Sequence, residues 1–344
     1  MIAAPPALSG AVEMPFAACQ GAGIVVTTAG SHPRGTRRRL KTAFSSTTTL
    51  RGELMTNQPK YEMAKVDTTL FDDLVGEDIM GFIFEHAPTK VTTRVARALD
   101  HYARTKVLIE VDEAMGAIRL IAAEEELVVA IFEWLKLRAD QYPDHRDFVR
   151  KFKNHVVKLS FHPVLLQFRF IMSDWIKNGI SPMGLEGVRW TVKPVVDGQS
   201  VKMAILNDEG KELIRHNPLA IDISREDDHG LDAVPHLLAE FVDQIKEQHA
   251  VTLKEFLTMR ADFRNKLMYA SDAGSWVMDD KLTDLIDAFK PTYRDLLWVL
   301  AILINGEPLG KGGGIVSQFI ALYREVLIVA GVLRADNSLV APEA

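Results

Sequence analysis

The chain has 344 residues, is 47% hydrophobic and 25% charged, and carries a formal net charge of −6. That balance belongs to a globular protein with a full apolar core, and it excludes a global basic field that would gather nucleic acid non-specifically. The lone cysteine, Cys19, excludes an internal disulfide and a cysteine-based zinc site and fits a reducing cytoplasm.

Residues 1–58 stand apart. They are rich in Ala, Thr, Ser, Gly and Pro and show no sustained periodicity, which predicts an extension that cannot fold alone. Six basic residues there face only Glu13 and Glu53, a balance of +4 that leaves −10 for the remainder. "PFAAC" lacks the basic region of a lipoprotein signal, and "TRRRLK" lacks the apolar stretch of a twin-arginine signal. An organellar transit peptide would suit the arginines. A disordered extension, or a soluble protein starting at Met55, accounts for the composition better. No apolar run nears the roughly 18 residues that span a bilayer, so no membrane is expected as a partner.

From Thr68 the apolar spacing turns helical, and residues 59–186 form a first helical half. "TTLFDDLVGEDIMGFIFEHAP" stops at Pro88, and "TKVTTRVARALDHYARTKVLIE" follows. Asp112 is placed to cap "EAMGAIRLIAAEEELVVAIFEWLKLR", the longest helical run, which Pro143 ends. "DHRDFVRKFKNHVVKLSF" and a segment opening at Pro163 are the next expected helices. Residues 187–224 then alternate apolar with polar and contain "DGQ" and "NDEG", which predicts a small antiparallel sheet of three or four strands, with Pro194 at an edge or bulge. Helices resume at Pro235. "PHLLAEFVDQIKEQHA", "VTLKEFLTMRADFRNKLMYAS", "DKLTDLIDAFK", "PTYRDLLWVLAILIN" and "IVSQFIALYREVLIVAGVLR" make a second half over 225–336, before a tail at 337–344. The predicted fold class is mainly α, a helical bundle with an inserted antiparallel sheet.

Three constellations bear on chemistry. In "AAEEELVV", helical spacing places Glu125 on a face with Ile121, Val128 and Phe132, so a carboxylate of the Glu124–Glu126 run must meet apolar neighbours and find an arginine or protonate. Glu125 is therefore the candidate orienting carboxylate. In "RKFKNH", Arg150 and His155 stand five apart among lysines and phenylalanines; they are possible second phosphate contacts. In "DFRNKLMYAS", a helix closes on Arg264 and Asn265, with Tyr269 beyond. "GEPLGKGGGIVS" lacks P-loop spacing and is expected to be a loop. His216, Asp222, Asp227, Asp228 and His229 cluster in sequence without ligand spacing, so no metal and no cofactor are expected. Other histidines, such as His101 and His162, are expected at helix boundaries.

"FRNKLMY" and the acidic helix "RLIAAEEELVVAIFEWL" resemble the Arg-x4-6-His motif and an early helix of the HEPN superfamily, over about a third of the chain. The resemblance implies an all-helical RNA- or nucleotide-binding protein. It implies a toxin or defence setting, and a homo-oligomer that pairs two motifs into a metal-independent ribonuclease. In that pattern Arg264 grips the scissile phosphate as a two-pronged donor, Asn265 helps to place it, and Tyr269 takes the position of the catalytic histidine. A phenol donates a proton but is a poor base at neutral pH, so either a ribonuclease or a phosphate-binding relative that no longer cuts fits the motif. Arg264 and His155 could also form one composite site. The alternative is a non-catalytic interaction or regulatory protein that uses the sheet as its partner or ligand surface, with the glutamates and Arg264 as a structural pair. An enzyme of another class built on the sheet is a third possibility.

Overall fold

The computed structural model describes residues 67–142, 145–150, 154–180, 190–224, 228, 230–269, 283–306 and 314–340. The extension at 1–58, the start of the first helical half, the loop at 307–313 and the last four residues lie outside these.

Asp67 caps a first turn, Thr68–Phe71, by accepting from Thr69 N at 3.0 Å, and a single helical turn, Asp72–Val75, follows. Gly76, at φ +93°, breaks the path before α1 (Glu77–His86). A side chain there would be strained, so glycine makes the corner possible. α2 (Thr89–Leu108) and α3 (Glu113–Leu137) form an antiparallel hairpin. Asp112 caps α3 as expected, accepting from Met115 N at 3.0 Å. Gly116 lets the hairpin close: a Cβ there would stand 3.3 Å from Ile109 Cα. α3 ends at Leu137, before Pro143, which lies outside the described residues.

The run from Asp144 to Phe161 is not one helix. A short turn, Phe148–Arg150, is followed by a new start at Asn154, whose side chain accepts from Val157 N at 3.1 Å and caps α4 (His155–Leu159). A side-chain cap satisfies an otherwise orphaned amide, which is why asparagine opens a helix here. α5 (Phe161–Ile180) begins two residues before Pro163, whose ring sits in the first turn, where no amide is needed.

The insertion is a three-stranded meander in the order β1 (Trp190–Asp197), β2 (Ser200–Asn207), β3 (Glu212–His216). Asp197 pairs with Ser200 across a tight turn in which Gly198 takes φ +61°. Pro194 lies on the edge strand β1, where a missing amide does least harm. The sheet packs on α1 and on α8, described below.

α6 (Val234–His249) opens with Pro235 in its first turn. α7 (Leu253–Met268) opens with a capping box in which Thr252 and Glu255 satisfy each other's amides. The residues expected to make two helices around Pro291 make one, α8 (Thr283–Leu303), with the proline inside. α9 (Ile315–Val329) is followed by a fold-back in which Leu333 bridges Leu339. Gln318, fully buried on α9, fastens the exit of the sheet: it accepts from Ile223 N at 2.9 Å and donates to the carbonyls of Ile223 and Gly230.

The two helical halves share one core. α3 lies at its centre and packs on α2, α4, α7 and α8. From the first half, Phe148 meets Tyr323 edge to face and Phe161 meets Phe132, Phe319 and Tyr323 in the same way, while Tyr293 sits among Phe71, Tyr102 and Phe289. Among the described residues no helix is long and apolar enough to cross a membrane.

Candidate functional site

The three successive glutamates of α3 point to three different neighbours. A helix turns about 100° per residue, so side chains in sequence cannot share a direction. Glu126 reaches Arg94 of α2 at 3.0 Å. Glu124 is buried inside the bundle and accepts from Arg260 of α7. Glu125, between them, faces α4 and the end of α7.

Glu125 gathers three basic groups. Lys158 Nζ donates to its Oε2 at 2.5 Å, His155 Nδ1 donates to its Oε1 at 2.7 Å, and Arg264 Nε lies 3.6 Å from the same Oε1. The cluster is graded toward solvent: the side chain of Lys158 is 11% exposed, that of Arg264 18% and that of His155 48%. Two permanent cations face one carboxylate, so the cluster holds surplus positive charge and favours an anion. The terminal nitrogens of Arg264 make no hydrogen bond to a described residue. Held at Nδ1 by Glu125, His155 leaves Nε2 without a hydrogen bond to a described residue.

The structure thus brings Arg264, His155 and Glu125 together from α7, α4 and α3. It does not bring Arg150 or Tyr269 to them. Arg150 ends the turn before α4, is exposed, and makes no ion pair or hydrogen bond to a described residue. Asn265 is exposed; its carbonyl accepts from Tyr269 N at 2.9 Å in the ordinary helical pattern. Tyr269 closes α7 in extended conformation with 61% exposure, five residues beyond Arg264.

α4 is only five residues long, and its position is set from behind. The hydroxyl of the buried Tyr323 on α9 donates to the carbonyl of Val157 and lies 3.0 Å from Ser160 Oγ. Burial pushes the Tyr323 phenol well above the ordinary range, so it stays a donor.

Behind the Glu125 cluster runs a buried polar chain that sequence reasoning missed. Arg260 sits over the Phe289 ring at 5.2 Å and donates to Thr292 Oγ1 at 3.3 Å as well as to Glu124. Thr292 Oγ1 lies 3.4 Å from His162 Nδ1, and His162 Nε2 lies 3.6 Å from Asp295, which Arg169 and Arg294 also meet at 3.0 Å. Burial raises the Glu124 carboxyl above the usual range against the pull of Arg260. Burial also lowers His162 to about 4, although Asp295 opposes it. His162 stands at a helix boundary as expected, but in the interior. His101 does not: it lies mid-way along α2.

Thr292, His162 and Asp295 are hydroxyl, imidazole and carboxylate in line, yet each is nearly or fully enclosed, so no substrate reaches them. Among the described residues no group of three or more His, Cys, Asp or Glu side chains is placed to hold a metal ion. Asp228 pairs instead with His236 at 3.0 Å, while Asp227 and His229 lie outside the described residues.

Some of this was within reach of the sequence. Arg260 is one helical turn before Arg264, and two arginines four apart opposite consecutive glutamates is a readable pattern. Nothing local marks His162, Thr292 and Asp295 as neighbours. Comparison with protein-family models, with curated proteins and with solved structures finds no match.

Proposed function

We propose that the chain is a HEPN-like RNA- or nucleotide-binding protein whose phosphate site is the cluster around Glu125. The observation that carries this reading is the convergence of Arg264 and His155, more than a hundred residues apart in sequence, on one carboxylate. Arg264 supplies the free edge of a planar guanidinium to the phosphate, and Lys158 adds a fixed positive charge. Glu125 holds both in place and fixes the tautomer of His155. In a cleaving member of this class His155, rather than Tyr269, is the proton carrier. Its Nε2 takes the proton of an RNA 2′-hydroxyl, the 2′-oxygen attacks the phosphorus, and the bond to the 5′-oxygen breaks as that oxygen takes a proton from solvent. No metal is needed for this chemistry. A cytoplasmic setting, a homo-oligomer and a toxin or defence context belong to the same proposal.

The test is incubation of end-labelled RNA with the full chain in the presence of a chelator, beside Arg264→Ala, His155→Gln and Tyr269→Phe. Cleavage lost in the first two and kept in the third supports His155 as the proton carrier. Binding without cleavage, lost in Arg264→Ala, supports a phosphate-binding relative that does not cut. RNA and nucleotide binding that is absent, or indifferent to Arg264, overturns the proposal. The competing reading, a purely structural cluster, has one observation in its favour: the close, enclosed Lys158–Glu125 pair. It predicts a large loss of stability in Arg264→Ala.

A further inference from the structure

One face of α2 is basic in a chain whose formal net charge is −6. Lys90, Arg94, Arg97, His101 and Arg104 follow one another at alternating four- and three-residue spacings. At about 100° per residue they stay within an arc of about 80°, and at about 1.5 Å rise they extend over about 20 Å. Arg119 of α3 joins the line, its Nη1 lying 3.0 Å from His101 Nδ1. An arginine only donates, so His101 is the acceptor there and is neutral; burial first, then Arg97 and Arg119, depress it to about 4.

The line is organised rather than merely solvated. Asp100, largely enclosed, takes Arg97 at 2.7 Å on one side and Arg104 at 2.8 Å on the other, which fixes both guanidiniums in register while their side chains remain 51% and 53% exposed. Arg94 is held by Glu126 at 3.0 Å. Four permanent cations of α2 and Arg119 of α3 thus face two carboxylates, a surplus of three positive charges along the line. Glu126, which fixes Arg94, follows Glu125 on α3 and points toward α2 rather than toward α4 and α7.

We infer that the basic face of α2 is a track for the sugar-phosphate backbone of single-stranded RNA. At 3.4 Å or more per phosphate along one strand, about 20 Å accommodates up to about six phosphates. A mononucleotide has no use for such a line; a polymer does. The inference rests on the phosphate-site reading for the strand being RNA. The track itself can be tested apart from that reading.

The experiment measures binding of a fluorescent twelve-residue oligouridylate by anisotropy, and of uridine monophosphate by calorimetry, over a series of salt concentrations. It compares the full chain with the double variant Arg97→Gln/Arg104→Gln and with Arg264→Ala, with melting temperatures confirming that each is folded. The double variant is expected to bind the oligomer at least tenfold more weakly and to bind the monophosphate as the parent does. Its log–log salt dependence is expected to be shallower by about 1.4, from two lost contacts at about 0.7 each on a single strand. Oligomer binding that survives in the double variant overturns the track. So does an oligomer that binds no better than the monophosphate, an outcome that leaves the phosphate site standing. Oligomer binding lost in the double variant but kept in Arg264→Ala upholds the track and removes the phosphate site. Equal competition by polyglutamate would assign the face to an acidic protein and sink the RNA inference.

Discussion

Arg260 and Arg264 stand one turn apart on α7 and meet the consecutive glutamates 124 and 125 of α3, the first inside the core and the second at its edge. The two contacts are built alike and placed differently. The inner pair anchors α7 to α3, and the outer pair inherits its position from that anchor.

Removing one member of the inner pair leaves a buried charge without its partner, which costs about 3–5 kcal/mol. Arg260→Ala is therefore expected to lower the urea midpoint sharply. The double variant Arg260→Met/Glu124→Gln should recover most of the loss, because no isolated charge remains. Equal loss in the single and double variants would show that packing by the arginine stem, rather than charge, holds α7.

Arg264→Ala should cost little, at most about 1 kcal/mol, since the arginine is at the edge, 3.6 Å from Glu125, and that carboxylate keeps two other partners. Lys158→Met should cost more, about 2–3 kcal/mol, because it takes the nearest and most enclosed partner from Glu125. Chemical denaturation of both variants checks the order. The reverse order would make Arg264 a structural residue and count against the phosphate site.

Acid should unfold the protein early, through two histidines. His162 and His101 ionise at about 4 in the folded chain against 6.5 for the ordinary group. The unfolded chain therefore binds more protons over that interval, and stability falls as pH drops from about 6.5 to 4. For the enclosed His162 a shift of this size corresponds to about 3 kcal/mol, and solvent screening makes the contribution of His101 smaller. Glu124 acts in the opposite sense: its raised folded value gives stability that is full below the unfolded value and lost as pH rises through the folded one. Unfolding free energies at pH 7 and pH 4.5 should show the loss, and His162→Gln should flatten it by more than half. An unchanged slope in that variant would place the acid sensitivity elsewhere.

Gln318→Leu should be among the most damaging single changes outside the charged clusters. It strips partners from the amide and carbonyl of Ile223 and from the carbonyl of Gly230, at about 1–3 kcal/mol for each buried group left unpaired. Hydrogen exchange should show protection lost first at Ile223 and at the sheet exit. Uniform loss across the molecule would mean that this fastening does not act locally.

The elements that follow local rules were legible in the sequence: the Asp112 cap, the turns of the sheet with Pro194 at its edge, the proline that opens α6, and a glutamate run that had to find partners. Boundaries decided by competition were not. Asn154 caps α4 only because the chain breaks its helix there, and Pro291 stays inside α8 because tertiary packing outweighs one missing amide. The site was legible as types of residue rather than as pairings. Glu125, His155 and Arg264 were all candidates, but their meeting depends on how α4 and α7 pack against α3, which no local pattern encodes. Tyr269, chosen by spacing along the chain, falls past the helix end in extended backbone, where helical spacing no longer governs its side chain.

The hydroxyl of Tyr323 under α4 also sets a schedule. During synthesis, α3 and α7 leave the ribosome before α9, so the five-residue helix bearing His155 first meets Glu125 and gains its fastening to Tyr323 last. A nascent chain shorter than that point holds Arg264, Glu125 and His155 without the hydroxyl that pins the carbonyl of Val157. The final seating of the imidazole is therefore a late event in the making of this protein.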